Sequence, residues 1–200
     1  MGSVKKERPR HKYSGVRWKT NFTNKKHLAI DFKRRCAYCD DHDFYCGGTH
    51  NYHVEHFAPK EKFPALKHIY ENLLYSCPYC NNAKSDAWPS DDPSVNVVDN
   101  EGFINPCSDE YDQHLMREHT GEIIASTELG KYMRNKLKLF LYRHELFFKL
   151  EQVEEKKECL EAIIEKERNE GKDISMRQSA LESLNNEFFG YYAEWKVLEK

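Results

Sequence analysis

Residues 36–39 read CAYC, residues 53–60 read HVEHFAPK and residues 77–86 read CPYCNNAKSD, and the way these three strings must meet decides the fold. Two Cys-x2-Cys pairs, Cys36/Cys39 and Cys77/Cys80, can close a tetrahedron of thiolates around zinc, each pair making a tight knuckle. Such a closed site stabilises a fold and does no chemistry itself. The 37 residues between Cys39 and Cys77 exceed the usual zinc-ribbon spacing, so the enclosed chain must fold back on itself. The chain has seven cysteines, an odd number, and the paired spacing of four of them argues for metal thiolates in a reducing compartment over disulfides. Cys46, Cys107 and Cys159 lack a partner at ligand spacing and read as small buried residues.

Working outward, YHVEHF alternates as a strand does and stops at Pro59, which cannot donate to a continuing ladder. DDHDFYCGGTH before it is polar and glycine-containing, a loop or hairpin connection. LKHIYENLLYS, residues 66–76, fits helix or strand, and CNNAKSDAW opens a helix that Pro89 ends. Residues 88–107, with Pro89, Pro93 and Pro106, form a loop-rich stretch. Beyond them apolar residues from Leu129 to Ile164 recur at helical spacing, predicting one helix from about Thr127 to Glu170 that Gly171 stops. Ser175 then caps a second helix running to about Leu198. On the other side, residues 26–35 suit a short helix or strand, and residues 1–25 have no sustained period.

The 200 residues can bury a core without staples. No apolar run approaches the roughly 20 residues that span a bilayer, and the basic N-terminus has no apolar signal region, so the expected location is cytoplasmic and no membrane is involved. A net charge of -2 hides an asymmetry. Residues 1–35 carry twelve Lys/Arg against Glu7 and Asp31, a net of +10, leaving -12 for the rest. A basic arm on an acidic body points to a polyanion contact by the arm, with Lys5, Lys6, Arg8, Arg10, Arg34 and Arg35 as DNA-binding candidates and Tyr13, Trp18 and Phe22 placed to stack or pack.

Glu55, His56, Asn72, Asn81 and Lys84 are the residue types that metal-assisted phosphodiester hydrolysis needs. A hard cation takes carboxylate and amide oxygens, and a neutral imidazole accepts a proton from water. Successive strand side chains face opposite ways, so Glu55 and His56 share a site only if the strand bends or ends there. His53 reads as an exposed strand residue, with a further ligand or substrate contact as the alternative, and His42 and His50 as loop surface, with metal binding as the alternative. Lys60 reads as solvent or phosphate contact, and His114, His119 and His144 as structural.

HVEHFAPK, ENLLYSC and CNNAKSD, framed by the cysteine pairs, resemble the HNH endonucleases with a ββα-metal active site. The resemblance covers roughly residues 34–88. It implies His56 as general base, Glu55 and Asn81 as ligands of a catalytic cation, Asn72 as the residue orienting loop and base, and Lys84 facing a phosphate. Glu where many members have Asp, and Asn81 where a second His often stands, favour Mg²⁺ or Mn²⁺. The basic lead-in, NLLYSCPYCNNAK and the FINP segment further resemble the PtuB-type HNH nucleases of Septu and retron-linked antiphage systems, which implies an ATPase partner of the PtuA type.

The expected architecture is α+β: a basic arm over 1–33, a small ββα-metal HNH core with a four-cysteine zinc knuckle over 34–107, and a mainly helical region over 108–200. That last region ends in a helical hairpin that either closes the core or offers a surface to a partner. The expected activity is metal-dependent endonucleolytic cleavage of DNA. The alternative is a noncatalytic zinc-stabilised module that binds nucleic acid or protein.

Overall fold

The computed structural model describes residues 2–13 and 21–198, with only the backbone at Asn21 and Phe22. Arg17, Trp18 and Lys19 of the basic lead-in lie outside the described residues. The chain forms two compact units, Met1–His144 and Glu145–Lys200. The expected divisions at 33/34 and 107/108 both fall inside the first.

In the first unit, helix α1 (Asn21–Asp31) precedes strand β1 (His53–His56), strand β2 (Leu73–Ser76) and helix α2 (Pro78–Lys84), which is the ββα order. β1 and β2 pair antiparallel with His53 opposite Ser76 and His56 opposite Leu73. Every residue of β2 is buried, so this strand is the floor of the core. α2 is shorter than the residue pattern suggests: it ends at Lys84, five residues before Pro89, because Ser85 takes a positive φ of 52°.

The 88–107 stretch is loop-rich as expected, interrupted only by the two-residue strands β3 (Val97–Val98) and β4 (Glu101–Gly102). Residues 108–126, expected within a helical region, hold the one-turn helix α3 (Tyr111–His114) and an antiparallel pair, β5 (Leu115–Arg117) and β6 (Ile123–Ala125).

Residues 2–13 are no free arm. Gly2 bridges to Arg117, adding backbone hydrogen bonds to β5. Asp31 Oδ2 accepts from the Lys12 and Tyr13 amides, Asp40 Oδ2 from the Lys6 amide, and Arg8 pairs with Asp109 and Asp112. Acidic side chains of the body thus strap the basic segment down through backbone amides that a count of side-chain charges cannot see.

The single helix expected over 127–170 is two. α4 (Glu128–Lys136) is capped by Thr127, whose Oγ1 accepts from the Gly130 amide at 3.0 Å. It stops where Lys138 takes a left-handed φ of 55° and the Leu139 amide reaches back to the Arg134 carbonyl at 2.8 Å. α5 (Tyr142–Asn169) then begins. A lysine in place of the usual glycine makes this break invisible to pattern reading.

The second unit comprises the rest of α5 and α6 (Ser175–Leu198), an antiparallel hairpin turned at Gly171 (φ +70°). The Asp173 carboxylate accepts from the Ser175 amide at 2.9 Å, so the cap stands two residues ahead of Ser175. Phe147 meets Trp195 edge-on with centroids 5.8 Å apart, Lys157 covers the Phe188 ring at 4.9 Å, and Arg177 pairs with Glu167. Among the described residues, no helix is long and apolar enough to cross a membrane.

Candidate active site and zinc knuckle

The first knuckle is a backbone turn. The Cys36 amide donates to the Asp41 carbonyl at 2.9 Å and the Asp40 amide to the Cys36 carbonyl at 3.0 Å, with Asp40 at a positive φ of 65°. The Ala37 amide binds the Tyr75 carbonyl at 2.7 Å and ties this turn to β2. The second knuckle is the start of α2, where Cys77 is the N-cap and its Sγ accepts from the Cys80 amide at 3.4 Å.

All four cysteines are buried, and their Sγ atoms lie within 4.8 Å of one another, Cys39 and Cys77 at 3.8 Å. A tetrahedron with Zn–S bonds of about 2.3 Å has edges of about 3.8 Å, so the set has the dimensions of a zinc knuckle. Burial pushes the Cys39, Cys77 and Cys80 thiols up, while at Cys36 hydrogen bonds from these three neighbours outweigh burial and pull it down. One thiolate is thus supported by the cluster itself, and the other three need a cation among them. Beside this set, Asp41 and His144 form a buried pair, Nδ1 to Oδ2 at 2.8 Å. With Cys39 they make a second buried group whose ligand atoms lie within 4.8 Å of one another.

The other three cysteines differ from one another. Cys46 and Cys107 are half-buried, with burial pushing each thiol up to about 12, and Arg143 donates to the Cys46 sulfur at 2.9 Å. Cys159, expected to be buried, is exposed on α5.

A cavity of about 630 Å³ opens beside the knuckle. β1 supplies His53, Glu55 and His56, the following loop Pro59, Lys60 and Glu61, and α2 with its C-terminal turn Asn81, Ser85 and Asp86. Lys25 of α1 completes the wall. Glu55 and His56 share this cavity because β1 ends at His56 and the chain turns. Asn72 holds the turn: its carbonyl accepts from the Phe57 amide, its Oδ1 from the Ala58 amide at 2.8 Å, and its Nδ2 donates to the Ala58 carbonyl at 3.0 Å. A buried side chain that satisfies both the amide and the carbonyl of one residue fixes that loop.

The His56 ring contacts the Lys67 carbonyl through Nε2 at 3.0 Å. A carbonyl only accepts, so Nε2 carries the hydrogen and Nδ1 keeps its lone pair. Burial holds His56 below the usual histidine range, which favours the neutral ring. Glu55 is 5% exposed, and burial holds its carboxyl above the usual range against the pull of Lys84.

Lys84 does not face a phosphate. Its side chain is 0% exposed, and Nζ binds Glu55 Oε1 at 2.8 Å and the His56 carbonyl at 3.1 Å. The Tyr38 hydroxyl adds a longer contact to Oε1 at 3.4 Å. The reason is geometric: Lys84 sits in the last turn of α2 with β1 packed against it, and Glu55 is the nearest anion.

None of the six DNA-binding candidates lines the cavity. Lys5 is 6% exposed, its ammonium over the Tyr111 ring at 3.2 Å, and burial lowers its pKa to about 7. Its ammonium faces the Tyr111 ring and not solvent. Arg34 is fork-bonded to Asp43 at 2.9 to 3.1 Å, and Arg35 binds Asp40 at 3.3 Å. Lys6 and Arg10 are exposed. Tyr13 packs on His27, centroids 4.0 Å apart. His53 is exposed, as expected of a strand residue, yet on the wall. Pattern reading misses Lys25, Tyr38 and the Lys67 carbonyl, whose roles arise only from tertiary contact and which carry no local signal.

Residues 36–87 match the family model for HNH endonucleases. No curated protein and no solved structure matches the chain. This segment is therefore an HNH endonuclease domain: the ββα order, the clustered cysteines and the Glu55/His56 cavity all lie within or against the matched residues.

Proposed function

We propose that the domain hydrolyses phosphodiester bonds of DNA with His56 as general base, zinc in the four-cysteine knuckle, and a divalent cation, Mg²⁺ or Mn²⁺, at Glu55 and Asn81. The convergence of Glu55, His56 and Asn81 on one cavity, with His56 Nδ1 left as the accepting nitrogen, carries this reading. The oxygen donors of Glu55 and Asn81 suit a hard cation, which when bound would stabilise charge on the phosphate and the leaving oxygen.

The chain's own residues do the rest. Nδ1 takes a proton from the attacking water as its oxygen bonds to phosphorus, and a P–O ester bond breaks. The Lys67 carbonyl holds the ring in the required tautomer. Asn72 fixes the turn that lets Glu55 and His56 face one cavity, and Lys84 offsets the buried Glu55 charge.

The finer assignment is the cytoplasmic nuclease effector of an antiphage complex with a PtuA-type ATPase. It rests on the resemblance of the basic lead-in, EHFAPK, NLLYSCPYCNNAK and the FINP segment to that branch. Exposed apolar side chains on α6, Met176, Phe189 and Val197 among them, give the hairpin a surface on which such a partner can dock.

The test is plasmid cleavage by wild type and His56→Ala in Mg²⁺, Mn²⁺ or EDTA, with zinc measured in both. General-base loss lowers the rate about 10²- to 10⁴-fold at unchanged zinc content. Equal cleavage by both proteins removes His56 from the mechanism. Zinc with no cleavage, alone or with an ATPase that co-purifies, favours a noncatalytic binding module.

A further inference from the structure

Charge in the cavity wall largely cancels in local pairs. Lys84, behind the wall, neutralises Glu55 at 2.8 Å, and Lys60 stands 3.6 Å from Glu61. Lys25 differs. Its ammonium donates to the His50 carbonyl at 2.7 Å, a contact that fixes its place without cancelling its charge. Among the described residues, no carboxylate lies within ion-pair distance of it. Asp86, the remaining acid of the wall, is exposed beyond α2 and takes a hydrogen bond from Ser85 at 3.3 Å. Lys25 also comes from α1, outside residues 36–87, so the cavity holds a fixed cation that the HNH segment does not contain.

An anchored ammonium sharing a wall with His53, Glu55 and His56 suits one ligand chemistry in particular, a backbone phosphate. We propose that Lys25 binds a phosphate of the DNA strand flanking the scissile one and sets that strand's register against His56. This inference rests on the nuclease reading. It moves the principal phosphate contact from the strapped N-terminal segment to the cavity itself. A lysine acting this way weakens binding uniformly across sequences and contributes about one unit to the salt slope.

The probe is a labelled duplex of mixed sequence, bound to His56→Ala so that binding is read without cleavage and titrated across a salt series. Adding Lys25→Gln is expected to weaken binding several-fold at low salt and to flatten the slope of log K against log salt by about 1. Lys25→Arg is expected to keep both. Lys172→Gln, the same charge loss in the exposed interhelical turn, is expected to leave the slope unchanged. In the active background, Lys25→Gln raises KM by the same factor as the loss of affinity.

Unchanged affinity and slope in Lys25→Gln overturn the proposal. So does a loss of affinity that comes with lowered zinc content and melting temperature at an unchanged slope, which makes Lys25 a packing residue. Wild type that cleaves while Lys25→Gln binds normally sinks this inference alone. Wild type that neither binds nor cleaves duplex sinks the nuclease reading with it.

Discussion

The HNH segment and the helical hairpin are ordered in opposite ways. In the first, strands of four residues and a helix of seven are too short to stand alone, and they persist because four sulfurs, the Glu55–Lys84 pair and the Asn72 clamp close long loops. In the hairpin, helices of 28 and 24 residues carry their own hydrogen bonding, and α6 buries no residue, leaving Met176 86%, Phe189 63% and Val197 69% exposed. Polar groups and sulfurs hold the first region together, and in the second long helices supply their own backbone hydrogen bonds and leave apolar side chains exposed. Substitutions should therefore act in opposite ways in the two regions.

Cys77→Ser is the largest expected break. A structural zinc contributes on the order of 10 kcal/mol, so losing one ligand should empty the knuckle, unfold the ββα segment and abolish cleavage. Trp88 reports this, since it packs edge-on to Phe57 with centroids 5.2 Å apart. Its fluorescence should shift to the exposed value while most far-UV helical signal, from α5 and α6, remains. Simultaneous loss of both signals would show that the two regions are one cooperative fold.

Lys84→Met comes next. It leaves Glu55 buried without its cation, and removing one partner of a buried pair costs about 3–5 kcal/mol. Denaturant melts should show that loss. Adding Glu55→Gln should recover most of the stability, because neither charge is then buried alone, yet leave cleavage absent. A single variant as stable as wild type would mean that water reaches Glu55.

The pH profile is a gentler probe of the same cavity. Burial depresses His56, so the neutral base persists below the ordinary histidine pKa, and cleavage should hold as pH falls through about 6.5 and decline only further down. The sign is the same for stability: a depressed group contributes fully above its unfolded pKa, and the contribution fades as pH falls through the folded value. An acid limb centred above 6.5 would mean that His56 gains a proton more easily than its burial allows.

These contrasts explain what is legible in the sequence. The cysteine pairs and the Glu55/His56/Asn81 set can be read because ligand spacing and strand ends are local, and the α6 helix because its period is long. The inward turn of Lys84 cannot be read, since a lysine one turn from Asn81 points to phosphate or to carboxylate according to what packs against α2. The break at Lys138 lacks its usual glycine. The strapping of residues 2–13 depends on backbone amides meeting Asp31 and Asp40, which have no signature in a charge count. Lys25 joins the cavity only through the packing of α1 on β1.

The smallest expected effect lies in the hairpin. Glu167 and Arg177 form a bidentate pair across the turn between α5 and α6, and Arg177 lowers the Glu167 carboxyl. Both groups are in contact with water, where the Coulomb gain is screened and ordering two long side chains opposes it. Arg177→Ala should leave cleavage, zinc content and the denaturant midpoint where they are, with any small loss erased by high salt. A salt-independent loss would mean that the guanidinium packs apolar surface in the turn. The hairpin would then depend on a specific polar contact as the HNH segment does, and the contrast between the two regions would shrink to one of length alone.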